Sequence, residues 1–183
     1  EDGHPASAMT SGLKAQLATH LRRHRDEGIL LDTNVLLLLW LAKFDPRLIG
    51  GKRLEKYTPD DVELLAGYVG QFKRILTTST ILTETSNLAA QVLSGQPKQA
   101  LFRRLFPLFG ASPPDDFHHC SVDGLALDES IFVRLGFTDA SIAATVGTQH
   151  LLLTDDLDLY LATQAQGTPA INFTHMREAA GLL

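Results

Sequence analysis

Short apolar runs alternate along the chain with longer stretches in which apolar residues recur at helical spacing. Leu13, Leu17 and Leu21 fall four apart and predict a helix from about Thr10 to Glu27, stopped by Gly28. Ile29-Leu30-Leu31 reads as a strand buried on both faces that ends abruptly at Asp32. Val35 to Leu41 is apolar on every side, so the helix it predicts must be enclosed by other elements. Lys52 to Tyr57 reads as a polar loop. The following Thr58-Pro59-Asp60-Asp61 combines a cap, a first-turn proline and acids at the positive end of the dipole. It opens a helix that carries Val62, Leu65, Val69 and Phe72 and runs to about Arg74.

Ile75 to Thr78 predicts a second strand, with Ser79 or Thr80 capping a helix that contains Glu84 and ends near Gly95. Pro97 opens a helix with Leu101, Leu105 and Leu108, disturbed at its end by Pro107. Ser112 to Asp116 reads as a loop, His118 to Val122 as a third strand, and Leu125 to Leu135 as a helix closed by Gly136. A new helix starts around Thr138-Asp139. His150 to Thr154 is a fourth strand, Leu157 to Gln166 a helix, and Ala170 to Phe173 a fifth strand, with Thr174 capping a short terminal helix. Short apolar strands alternating with helices imply an α/β protein, built as three α/β/α layers around a central parallel sheet of about five strands.

The 183 residues, 44% hydrophobic and 20% charged, suit one domain with a substantial core, spanning residues 10–183. Residues 1–9 are small and polar and read as a disordered leader or a cloning remnant. The single cysteine, Cys120, excludes an internal disulfide and fits a reducing compartment. The longest apolar stretch, Val35 to Ala42, is too short to cross a bilayer, so a cytoplasmic protein without a membrane partner is expected. A net charge of −5 argues at first against a nucleic-acid partner. Basic residues nevertheless cluster locally, at Arg22, Arg23 and Arg25, at Lys52, Arg53 and Lys56, at Lys73 and Arg74, and at Arg103 and Arg104. Taken one at a time, these clusters read as solvated helix ends.

The acids carry more. In α/β sheets, ligands gather where strands end and the next helices begin. Asp32 ends the first strand, Asp155-Asp156 follows the fourth, Asp139 opens a helix, and Glu84 lies in the first turns after the second strand. Each has a bland alternative as a cap, a dipole partner, a turn residue or a solvated glutamate. Four carboxylates at one edge repel one another unless cations neutralise them, and an all-oxygen donor set favours Mg²⁺ or Mn²⁺ over zinc. His118, His119 and Cys120 are metal-ligand types, but adjacent strand residues point to alternate faces, so they read as structural.

The segments Leu31-Asp32-Thr33-Asn34, Thr83-Glu84, Gly136-Phe137-Thr138-Asp139-Ala140-Ser141-Ile142-Ala143-Ala144 and Leu152-Leu153-Thr154-Asp155-Asp156 resemble the ordered acidic motifs of PIN domains. The resemblance covers about residues 29 to 175. It implies a metal-dependent endoribonuclease in which Asp32, Glu84 and Asp139 coordinate metal. Thr154 followed by Asp156 matches the family's Thr-x-Asp pattern, which makes Asp156 the fourth acid, with Asp155 and Asp158 as fallbacks. Asn34 would brace the Asp32 carboxylate by hydrogen bonding, with Thr154 in a similar supporting role. Many PIN proteins are toxins of toxin–antitoxin pairs and often dimers, so an antitoxin or a second copy is an expected partner beside RNA.

One departure is a helical insertion at about residues 43–74, which includes the basic loop of Lys52, Arg53 and Lys56. It can gate the cleft, bind RNA or hold a partner. The expected chemistry is in-line attack of an activated water on phosphorus, leaving a 5′-phosphate and a 3′-hydroxyl. Two rivals stand beside it. One is a catalytically silent PIN-like module binding RNA or protein. The other is a doubly wound phosphatase or phosphoacceptor, against which Asp32-Thr33-Asn34 lacks the second aspartate of an Asp-x-Asp loop.

Overall fold

The apolar runs pair side by side in the computed structural model of the protein, which describes residues 5–109, 116–121, 126–147 and 149–183. Ile29–Leu31 (β1) lies at the centre, flanked by Ile75–Thr78 (β2) and Leu151–Thr154 (β4). Phe117–Cys120 (β3) and Ala170–Asn172 (β5) form the edges of the order β3-β2-β1-β4-β5. Every pairing is parallel, with Ile29 opposite Ile75 and Leu151, and Leu153 opposite Leu31 and Ile171. Parallel neighbours need long crossovers, and the intervening helices supply them. Leu30, Leu31, Leu151, Leu152 and Leu153 have no exposed surface, which is the condition of a sheet covered on both faces. The expected α/β/α architecture is therefore observed.

Pro5–His24 (α1) precedes β1, and Thr33–Phe44 (α2) follows it. Nine residues of α2 are buried, because the helix packs against Pro59–Val69 (α3), Ser79–Val92 (α4) and β4. Gly95–Phe109 (α5), Glu129–Leu135 (α6), Phe137–Val146 (α7), Leu157–Ala165 (α8) and Phe173–Ala179 (α9) complete the layers. Ile131, Ala140, Ala143 and Ala162 form a small second core where α6, α7 and α8 meet, and small residues there let the helices approach closely. Among the described residues, no helix is long and apolar enough to cross a membrane.

Several boundaries differ from the sequence reading. The first helix begins at Pro5, inside the stretch expected to be a leader, with proline at a helix start where its missing N–H costs nothing. The third helix stops at Val69, yet Phe72 still packs edge-on against Tyr68. Thr78, rather than Ser79 or Thr80, caps α4, its hydroxyl accepting from the Ile81 N–H at 3.2 Å. Gly95 opens α5 instead of closing α4, and Pro107 sits inside α5. Asn172 caps α9 in place of Thr174, which leaves the Thr174 hydroxyl free for another partner. The expected loop at 112–115, Val122 and Leu125 lie outside the described residues.

The strand order decides where a ligand can sit. From β1 the chain moves outward through β2 to β3, then returns to β4 on the other side of β1. The helices after β1 and β4 therefore diverge, and their N-termini frame a crevice at the C-terminal edge of these two strands.

Candidate functional site

Asp32 and Asp156 stand at that crevice. Asp32 caps α2, its Oδ1 accepting from the Val35 N–H at 2.7 Å. Its Oδ2 accepts from the Thr154 hydroxyl and from the Asp155 N–H at 2.9 Å. The residue is only 3% exposed, and this burial pushes its carboxyl up to about 6 despite the three hydrogen bonds, which act in the opposite direction. Asp156 caps α8 through Oδ1, which accepts from the Leu159 N–H at 2.9 Å. The Asp156 N–H in turn donates to the Thr154 hydroxyl at 3.0 Å. Thr154 thus links the two acids: its hydroxyl gives its proton to Asp32 and receives one from the Asp156 backbone. This is the physical content of the Thr-x-Asp spacing.

Glu84 and Asp139 approach from the neighbouring helices. Glu84 is exposed on α4, with the Thr33 hydroxyl donating to its Oε2 at 3.4 Å. Asp139 lies in the first turn of α7, partly buried. A relay of hydroxyls ties these two helices together. Thr78 meets Thr80 at 2.8 Å, Thr80 meets Ser141 at 3.1 Å, and Ser141 donates to the Thr138 carbonyl at 2.7 Å. Burial pushes the Asp139 carboxyl up to about 7, and the charges of Asp156, Asp32 and Glu84 push in the same direction. All four acids expected from the sequence therefore lie within electrostatic reach of one point.

The donor chemistry fits a hard divalent cation: carboxylate oxygens alone, one of which resists ionisation because it is partly buried and because the other three are near. The spacing does not close around an ion. Among the described residues, no three His, Cys, Asp or Glu side chains stand near enough to one another to hold a metal. Unneutralised carboxylates repel, and Glu84 is exposed on a flexible side chain, so closing the set requires side-chain rotation.

Of the two supporting residues expected, Thr154 takes that role and Asn34 does not. Asn34 is exposed and makes no hydrogen bond to Asp32, whose brace is Thr154 together with two backbone N–H groups. Asp155 is engaged by partners outside the acidic set, although its charge is felt by Asp32. Its side chain has no exposed surface and takes the Tyr57 hydroxyl at 2.5 Å, the Lys56 ammonium at 2.5 Å and the Thr174 hydroxyl at 2.7 Å. Asp158 is exposed in the first turn of α8 and is absent from the charges that act on Asp139. Of the three neighbouring candidates, Asp156 is the one whose charge acts on Asp139.

The basic loop also divides. Lys56 is held by Asp155, and its ammonium lies 5.2 Å from the Tyr57 ring centroid. Arg53 instead reaches α4, where its Nε donates to Gln91 Oε1 at 3.0 Å and its Nη2 donates to the same oxygen. Lys52 is exposed and makes no ion pair among the described residues. The insertion is pinned from below by Arg177, which is 4% exposed and grips Asp61 through two nitrogens at 2.7 and 3.0 Å. A further bond runs from Arg177 to the Lys56 carbonyl at 2.7 Å. Burial of Asp61 opposes ionisation, but Arg177 and Thr58 outweigh it and hold its carboxyl below the usual range.

No protein-family model, curated protein or solved structure matches the chain. The site therefore rests on its own geometry.

Sequence reasoning missed Tyr57, Thr33, Ser141 and the Asp61–Arg177 pair. Asp61 had been assigned to the helix dipole alone, and nothing local to Arg177 distinguishes it from a solvated cation. His118, His119 and Cys120 lie along β3, where the His119 ring nitrogen Nε2 meets the Leu108 carbonyl at 2.5 Å and burial raises the Cys120 thiol.

Proposed function

We propose that the protein is a metal-dependent endoribonuclease of the PIN type, with Asp32, Glu84, Asp139 and Asp156 holding Mg²⁺ or Mn²⁺. The observation that carries this reading is the placement of four carboxylates from separate elements at one sheet edge, close enough that the charges of Asp156, Asp32 and Glu84 add to burial in raising the Asp139 carboxyl. A fold gains nothing from that mutual repulsion, whereas a cation turns it into affinity. A bound divalent ion supplies Lewis acidity toward phosphoryl oxygens and makes water a competent nucleophile at neutral pH.

The protein's own residues divide the remaining work. Asp32, fixed by three hydrogen bonds, is the rigid anchor, and Thr154 keeps Asp156 in register with it. Glu84 would add its carboxylate from α4, and Asp139, raised to about 7 by burial and by the three other acids, would give up its proton on holding the cation. Cleavage would leave a 5′-phosphate and a 3′-hydroxyl. An antitoxin-like protein or a second copy belongs to the same proposal, supported by the exposed apolar side chains Phe132, Val133, Phe137, Leu157 and Leu161, carried by α6, α7 and α8, which pack on one another.

A catalytically silent PIN-like module is the second reading, favoured by the spacing of the carboxylates as they stand. Two experiments separate them. Incubation of the protein with total RNA and Mg²⁺, followed by sequencing of new 5′ ends, should give discrete cuts that EDTA and Asp32→Asn both abolish. Cleavage undiminished by either would overturn the metal mechanism. Titration with Mn²⁺ should saturate, and absence of saturable binding together with absence of cleavage establishes the silent module.

A further inference from the structure

Arg53 is the only non-glycine residue with positive φ among the described residues, at 68°. That conformation is strained for a residue with a Cβ, and such strain concentrates at functional positions. Two contacts sustain it. The Arg53 guanidinium grips Gln91 through Nε and Nη2, and the backbone N–H groups of Glu55 and Arg53 favour the charged form of the nearby Glu55 carboxyl, which lies below its usual range. The effect is to lay a cation on one particular face of α4.

That face also carries Glu84. Thr80, Glu84, Asn87 and Gln91 recur at spacings of four, three and four, with Thr83 beside them, so they form one stripe along the helix. From Thr80 to Gln91 the stripe runs for about 16 Å. Its inner part forms the floor of a shallow cleft of about 400 Å³, lined by Ser79, Thr80, Thr83, Glu84, Asn87 and Thr138. The lining consists of hydroxyls, one amide and one carboxylate, with no aromatic ring on which a base could stack. Hydroxyl and amide side chains are the groups that contact phosphate and sugar without reading sequence.

We propose that this stripe is the track along which the phosphodiester backbone of a single-stranded RNA enters the acidic site, with Arg53 as its outer phosphate contact. The proposal rests on the endoribonuclease reading for its direction, from Arg53 inward to Glu84. Lys56, although adjacent in sequence, is spent on Asp155 and lies outside the track.

The test is binding of a short, unstructured, fluorescently labelled RNA to the full chain in EDTA, where metal-dependent cleavage is switched off. Arg53→Gly is the informative variant, because glycine adopts positive φ without strain, which offsets the lost Gln91 contact and keeps the loop in place. It should weaken RNA binding several-fold and make the slope of log affinity against log salt shallower by about 0.7, as loss of one phosphate contact requires. Asn87→Asp, adding negative charge to the stripe, should also weaken binding, whereas Lys14→Ala on α1 should not. Unchanged affinity and salt slope in both Arg53→Gly and Asn87→Asp would overturn the track, as would failure of the native protein to bind RNA in EDTA. Expected binding results combined with no cleavage in Mn²⁺ would leave the track standing and remove the nuclease reading.

Discussion

Replacing Asp32 by asparagine separates the cost of a buried charge from the value of its hydrogen bonds. The carboxyl titrates at about 6 in the folded protein against an ordinary value of 3.8, because burial disfavours its charged form. The native state therefore binds the proton more tightly than the unfolded chain, and stability must fall as pH rises between these values. At about 1.4 kcal/mol per pH unit the full penalty is about 3 kcal/mol, present above about pH 6 and nearly gone by pH 4. Asparagine removes this penalty but not for free. Its carbonyl keeps the Val35 N–H, while its amide nitrogen cannot accept from the Asp155 N–H, a loss of about 1–3 kcal/mol at every pH, and the Thr154 hydroxyl must turn to accept from that amide instead of donating to it.

The two effects nearly cancel at neutral pH, so the variant should fold there. As the pH falls from about 7.5 to about 4, the native protein should gain about 2–3 kcal/mol relative to Asp32→Asn. The Asp139 carboxyl, raised in part by Asp32, shifts the difference in the same direction. Urea denaturation of both proteins in EDTA across that interval measures the difference directly, and other titrating groups cancel in the comparison. A stability difference that stays constant with pH would refute the reasoning, since it would mean that Asp32 carries no buried-charge penalty.

Two further outcomes follow from the same geometry. Arg177→Leu leaves the Asp61 carboxylate buried without its cation and should cost about 3–5 kcal/mol, with the Asp61→Leu/Arg177→Leu pair recovering much of the loss; a single-variant cost under about 1 kcal/mol in urea denaturation would contradict a buried pair. Asp156→Asn should abolish Mn²⁺-dependent RNA cleavage while Asp158→Asn retains it, and the opposite ranking in a cleavage assay would reverse the assignment of the fourth acid.

The alternation of short apolar runs with helical stretches was enough to reach the parallel α/β/α sheet, because burial on both faces and amphipathic periodicity are properties of neighbouring residues. For the same reason the four acids could be assigned to one edge: Asp32 and Asp156 follow strands, Asp139 lies in a first helical turn, and Glu84 lies in the early turns of the helix after β2. What followed the fourth strand was ambiguous. Asp155, Asp156 and Asp158 are equivalent by type and nearly so by position, yet one is held by Tyr57, one caps α8 beside Thr154, and one faces solvent. The supporting role went to Thr154 rather than Asn34 because β4 lies directly beside β1, a neighbour relation set by strand order.

The amino-acid pattern by itself determined the layers, the strands and the carboxylate edge. Only the tertiary structure decided which side chains meet there: Arg53 with Gln91 instead of solvent, Lys56 with Asp155, and Asp61 with Arg177 across 116 residues of chain. Local periodicity reports how polar each position's surroundings are. Which partner supplies those surroundings depends on how the crossovers return to the sheet, and no window of neighbouring residues records that.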